Sequence, residues 1–189
     1  MDNDLKKAVD FIIEIDKIKH ISRKTKLFKH NRHENDAEHS WHLAMMVIVL
    51  KDFANEPIDI LKVIKMALIH DIVEIDAGDV IIYQVDKEEK LRKESMAADR
   101  IFGILPDKTG VELKELWREF EERKTPEAKF AAAIDRLEPI MQNYINNGGT
   151  WVEFGIKKEM VCQLNQHVSE GSTTLWEYAV SIINHHFDI

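Results

Sequence analysis

Residues 60–79 read ILKVIKMALIHDIVEIDAGD, and this stretch decides the fold class. Ile60, Ile64, Ala67 and Leu68 recur at the three- and four-residue spacing of one helix face. That stripe leads directly into His70, Asp71 and Glu74, and Gly78 supplies a stop. Either Pro57 or Asp59 can open the helix. Polar groups at the end of an apolar stripe are expensive to bury without partners, so the segment predicts both a core helix and a site.

The same period runs through nearly the whole chain. A first helix is expected from about Leu5 to His20, with Leu5, Ile12, Ile15 and Ile18 inward. A basic stretch follows from Arg23 to His33. Asp36 can cap a second helix in which His39, Leu43, Met46 and Leu50 share a face, so this histidine points inward. Lys87–Phe102 reads as a charged amphipathic helix with a solvated face. Val111–Glu122 reads as another, burying Leu113, Leu116, Trp117 and Phe120. Thr125-Pro126 is an N-cap with proline at the first helical position. It opens a helix carrying Phe130, Ile134, Leu137, Met141 and Tyr144 inward, closed by Asn147-Gly148-Gly149. Two further helices, about 158–168 and 174–186, are separated by Gly171. Only 81–85 offers a strand-like run, and it reads better as a loop. The expected fold is all-α, a single domain over 1–189, with the C-terminal helices packing on a core that lies within about 5–146.

Composition bounds the function. Thirty-four acids against twenty-six bases give a formal charge of −8, which argues against binding a nucleic-acid polymer. The longest apolar run, Leu43–Leu50, is far short of the roughly 20 residues of a membrane span. The acidic start is unlike a secretory leader, and a lone Cys162 excludes an intrachain disulfide and a thiolate zinc cluster. A cytoplasmic chain is the expectation. Nine histidines beside so many carboxylates are raw material for a metal site or simply an acidic surface.

Four residues combine metal-ligating chemistry with inward placement: His39, His70, Asp71 and Asp135. Imidazole and carboxylate suit one divalent transition ion, Co, Mn, Fe, Ni or Zn, better than calcium. Neighbouring helical residues differ by about 100° in direction, so both His70 and Asp71 can reach an ion at the stripe's edge. Glu74 lies on their side of the helix and suits a base or water-holding group. Asp135 follows Ala131-Ala132-Ala133, which permits close helix approach, and Pro139 cannot close the helical bond to its carbonyl. A lone inward histidine is commonly a hydrogen-bonded core residue. Here several imidazoles and acids share apolar stripes with no lysine or arginine nearby, and Arg136 points about 100° away from Asp135. A common cation, or else a mutual network of salt bridges, would satisfy them. His42 reads as core or rim packing, His185-His186, His30 and His33 as surface, and Trp41, Trp117, Trp151 and Trp176 as core anchors. No Glu-x-x-His pair, glycine-rich phosphate loop or nucleophile elbow is present.

The order His39, His70-Asp71, Asp135 resembles the H…HD…D signature of HD-domain metal-dependent phosphohydrolases. Residues 70–79 match the HDxxExxxGD pattern of the branch similar to 5′-deoxynucleotidases, and 34–40 and 112–137 match it too. The resemblance covers about 5–146. It implies a compact helical fold, often a homodimer, that hydrolyses a small phosphate ester, most typically a nucleoside 5′-monophosphate. His39, His70, Asp71 and Asp135 would be the metal ligands. Glu74 and Asp79 would act as acid–base and water-orienting carboxylates, and Arg23 or Lys24 would orient the phosphate. Two positions depart from the branch. Thr25 follows Lys24 where a tryptophan that excludes a ribose 2′-hydroxyl is expected, and Val80-Ile81-Ile82 replaces a proline-containing loop. Rival readings are a hydrolase of nucleoside triphosphates or other small phosphomonoesters, and a metal-stabilised helical interaction module without turnover.

Overall fold

The computed structural model describes residues 2–79 and 87–188. The described residues are all-α apart from one small hairpin. Helix α1 is Asn3–Ile15, followed by a 3₁₀ turn, Asp16–His20. Strands β1 (Ser22–Lys26) and β2 (His33–Asn35) pair antiparallel, Ser22 with Asn35 and Lys26 with His33, through an irregular register. Helices α2 (Asp36–Leu50), α3 (Ile60–Ile69), α4 (Glu74–Ala77), α5 (Lys87–Phe102), α6 (Asp107–Glu122) and α7 (Pro126–Ile145) follow. The C-terminal part adds α8 (Gly149–Glu153), α9 (Lys158–Asn165), α10 (Val168–Gly171) and α11 (Thr173–Phe187). Among the described residues no helix is long and apolar enough to cross a membrane. The 81–85 run and the Val80-Ile81-Ile82 departure lie outside the described residues.

Local chemistry explains most boundaries. Asp59 caps α3, accepting from the backbone N–H groups of Leu61 and Lys62. Thr125 caps α7 with Pro126 in its first turn, and Gly78 ends α4 at φ 75°. Asn35, rather than Asp36, caps α2. Its side chain accepts from Glu38 N–H while the Glu38 carboxylate accepts from Asn35 N–H, a reciprocal capping box. Such a cap stabilises a helix by about 1 kcal/mol, and it frees Asp36 to be buried for another purpose.

α7 is the central element, with α2, α3, α6, α10 and α11 packed around it. Its inner side, Phe130, Ala133, Ile134 and Leu137, is essentially inaccessible. It stays helical through Pro139. The three alanines are buried, and Gly171 of α10 approaches the α7 backbone just before them, at Lys129 and Phe130. A methyl on Gly171 would stand 2.3 Å from the Lys129 carbonyl oxygen, so this glycine is a contact point as well as a helix end.

Several expected faces are shifted. Phe11 and Ile18 face the core with Ile15 partly buried, while Leu5 and Ile12 are exposed. In α3 the buried set is Val63, Met66, Ala67 and Ile69. Ile60 and Ile64 are half-buried and Leu68 is exposed. Both helices are apolar on more than one side, so periodicity alone leaves their rotation open. Trp117 and Trp151 are core anchors as expected and Trp176 packs against the core, but Trp41 is 64% exposed. It heads an outward stripe on α2 with Met45, Ile48 and Val49. The hairpin was unexpected because its two strands are short and strongly charged, and its pairing closes only across the turn between them.

Candidate metal centre

His39 comes from the first turns of α2, His70 and Asp71 from the end of α3, and Asp135 from the middle of α7. The chain leaves α-geometry at the His70-Asp71 pair, where His70–Val73 forms a tighter 3₁₀ turn before α4 begins at Glu74. All four side chains are buried, and they meet. His39 Nε2 lies 3.1 Å from Asp135 Oδ1 and 3.8 Å from Asp71 Oδ2. His70 Nε2 lies 3.2 Å from Asp71 Oδ1 and 3.5 Å from Asp135 Oδ1.

The tautomers point to a cation. His70 Nδ1 sits 3.0 Å from the Ala67 carbonyl oxygen, and a carbonyl can only accept, so this nitrogen carries the proton. His70 Nε2 is then a buried lone pair facing two carboxylates, and it has no hydrogen-bond partner. His39 differs: Nδ1 is hydrogen-bonded to Glu138 Oε2 and Nε2 to Asp135 Oδ1. Two imidazole Nε2 atoms directed at two carboxylates form a donor set for an ion such as Co, Mn, Fe, Ni or Zn, which would take the place of the proton on His39 Nε2. His39, His70 and Asp135 have ligand atoms within 4.8 Å of one another.

The protonation pattern follows from burial and charge. Burial disfavours the Asp135 and Asp71 anions, yet Arg136, His39 and His70 hold Asp135 well below the usual carboxylate range. His70, Arg23 and His39 likewise lower Asp71. Burial and Arg23 oppose charging of His39, but Glu138 and Asp135 outweigh them and raise it well above its ordinary value. Glu74 behaves oppositely: burial, with Asp71 and Asp36 beside it, lifts it well above a normal glutamate. Asp79 is raised by burial, and Asp36 is pushed up to about 6 by burial and Asp71.

The centre forms part of the wall of a cleft of about 570 Å³. Arg23, Lys24, Glu74 and Asp79 line it with His70, Asp71 and Asp135, while His39 lies behind them against Asp135. Arg23, however, is already engaged. Its Nη1 donates to Asp71 Oδ2 at 2.6 Å and to Asp36 Oδ1 at 3.2 Å. Lys24 is the exposed cation of the pair. Two expectations about neighbouring charge are corrected. Arg23 reaches the apolar stripes from the hairpin, and Arg136 Nε comes within 3.3 Å of Asp135 Oδ2 because its long side chain folds back along α7. His42 is more than packing, since its Nδ1 is 2.6 Å from Glu138 Oε1.

Four buried acids escaped the sequence reading: Glu34, Asp36, Glu94 and Glu138. Glu138 carried a signal. It lies three residues beyond Asp135 on an inward face, where an isolated acid requires a partner. Glu34 and Asp36 flank a helix start, where acids are ordinary, and nothing local marks them as buried.

Comparison with known proteins agrees with this geometry. The profile of the HD domain matches residues 15–176. The chain is 32% identical over 136 residues to 5′-deoxynucleotidase HDDC2 of Homo sapiens, covering 71% of this chain and 65% of that protein. It is 38% identical over 117 residues to the Dictyostelium discoideum protein of the same name, covering 59% and 62%. The chain thus spans less than two thirds of the length of these curated relatives. A crystal structure from Magnetospirillum magnetotacticum MS-1, described as a "predicted metal-dependent phosphohydrolase", superposes with a TM-score of 0.93 at 43% identity. That match covers 97% of this chain and 93% of the other. A Pyrococcus horikoshii OT3 structure at 24% identity and TM-score 0.65, covering 95% and 98%, shares the fold. With the motif order, the helical architecture and a buried His/Asp cluster in agreement, the chain belongs to the HD-domain family.

Proposed function

We propose that this chain is a metal-dependent phosphomonoesterase that hydrolyses nucleoside or deoxynucleoside 5′-monophosphates to nucleoside and phosphate. The observation that carries the reading is the pair of imidazoles, each tied back through Nδ1, whose Nε2 atoms converge on Asp71 and Asp135 beside an open cleft. In this reading His39, His70, Asp71 and Asp135 hold one divalent transition ion. When bound, such an ion polarises a phosphate oxygen and lowers the pKa of a coordinated water. Glu74 takes the proton of the attacking water. Its Oε2 is buried without a partner, and burial beside Asp71 and Asp36 raises its affinity for a proton. Asp79 orients that water. Lys24 and Arg23 face the phosphoryl group, where a preorganised cation stabilises developing negative charge.

The names and identities of the curated relatives support the nucleotide as substrate. Thr25 lines the cleft with a side chain much smaller than the expected tryptophan, which leaves room beside the sugar. The same reading includes a second copy of the chain, seated on the Trp41, Met45, Ile48 and Val49 stripe of α2. The test is a phosphate-release screen over nucleoside mono-, di- and triphosphates, ribo and deoxyribo, with Co, Mn, Ni and Zn. Release from monophosphates alone is expected. Release from triphosphates alone, or metal binding with no turnover on any substrate, would overturn the reading.

A further inference from the structure

The two imidazoles of the centre are backed differently. His70 Nδ1 is held by a neutral backbone carbonyl, that of Ala67. His39 Nδ1 is held by a carboxylate, Glu138 Oε2. Neither His39 nor Glu138 has any solvent exposure. The second Glu138 oxygen is also occupied, by His42 Nδ1 at 2.6 Å. Glu34 Oε2 stands 3.5 Å from His39 Nδ1 and receives a 2.9 Å hydrogen bond from Gln142 Nε2. A layer of buried acid thus lies directly behind one metal-facing ring and not behind the other.

Burying a carboxylate on the central helix is costly, and replacing a buried ion pair with apolar residues is often neutral or better for stability. Stability alone is therefore a poor reason for Glu138. A carboxylate on the far nitrogen of a ligating imidazole does three things: it fixes the tautomer, orients the ring and makes the near nitrogen a stronger donor.

We propose that Glu138 is a positioning residue of the metal centre: its carboxylate, steadied by His42, locks His39 with Nε2 free and sets the affinity of the centre for its cation. The inference rests on the reading of His39 as a metal ligand, and it adds a residue outside the H…HD…D order. The rival use of the same groups, a second cation between Glu34, His42 and Glu138, needs a Glu138 oxygen, and imidazole nitrogens already occupy both.

Cobalt(II) titration of the metal-free full-length chain tests this, followed by the visible ligand-field bands and by bound cobalt per chain. Wild type should bind one ion. Glu138→Gln keeps the shape and should weaken binding about 10- to 100-fold with shifted bands, and His42→Gln should act in the same direction to a smaller extent. Wild-type affinity and bands in Glu138→Gln overturn the proposal. So do two ions in wild type with one lost in the variant. A wild-type chain that binds no cobalt would remove the metal-centre reading itself, which separates the two failures. Should Glu138→Gln not fold, ring ¹⁵N shifts of zinc-loaded wild type decide. A protonated Nδ1 with metal on Nε2 of His39 supports the proposal, and metal on Nδ1 overturns it.

Discussion

Arg23 and Asp71, 48 residues apart in sequence, meet at 2.6 Å, and this pair ties the charged hairpin to the centre. Both side chains are almost fully buried. Removing the guanidinium leaves Asp71 beside Asp36, Glu74 and Asp135 without its cation. Arg23→Ala is expected to destabilise the metal-free chain by about 3 kcal/mol, read from urea unfolding. Saturating Co or Mn should recover part of that loss, because a bound cation replaces the missing charge. Equal losses with and without metal would show that Arg23 acts only through the hairpin.

Chelation should abolish phosphate release, with recovery on adding Co or Mn. Asp71→Ala should lower bound metal, measured by elemental analysis after dialysis, along with turnover. Full activity in Asp71→Ala, or a chelator-resistant activity, would contradict the proposed site.

Glu74→Gln separates binding from chemistry. The amide cannot accept the proton of water, so turnover should fall by roughly 10²- to 10⁴-fold. Metal content should remain near wild type, because Glu74 is not among the residues that converge on the cation. A parallel loss of metal would reassign Glu74 as a ligand.

Thr25 bears on the sugar. Ribo- and deoxyribonucleoside monophosphates are expected to be hydrolysed at rates within about 100-fold of each other, since a missing or added hydroxyl in an accommodating pocket changes binding by only ~1–3 kcal/mol. Thr25→Trp should depress the ribonucleotide rates selectively. Equal loss on both sugars would place the discrimination elsewhere.

Acid sensitivity has an identifiable source away from the centre. His167 follows α9 and lines the cleft. Burial first, then Arg123 and Arg136, pushes it down to about 4. A histidine depressed in the folded state is neutral there while the unfolded chain takes up a proton. Its contribution is whole above the unfolded value near 6.5 and is lost as pH falls toward 4. The melting temperature of His167→Gln should therefore fall less steeply than wild type between pH 6.5 and 4. Parallel curves would mean that His167 is solvated.

What could be read in advance follows the range of the forces involved. Caps, glycine stops and the α5 boundaries rest on neighbouring residues, and Asp59, Thr125 and Gly78 stand where local chemistry puts them. The candidate ligands were legible because inward acids and imidazoles contradict their own stripes. Rotation of α1 and α3 was not, since Ile, Leu and Val surround both helices and only neighbouring helices choose the face. Arg23–Asp71 and His39–Glu138 are separated by 48 and 99 residues, and no local pattern announces either.

Asp135 and Glu138 sit three residues apart on α7 and contact opposite edges of the same imidazole. The spacing of those two anchors along the axis is about 4.5 Å, a property of the α-helix itself rather than of how the core is filled. The ring of His39 is consequently gauged by backbone geometry. Substitutions that lower stability without rewinding α7, such as Val47→Ala or Ile134→Val, leave the spacing of Asp135 and Glu138 unchanged. A register defect inside α7 between 135 and 138 would open the grip at once. Tolerance to mutation should thus divide along this helix: forgiving in what it packs against, strict in how it is wound.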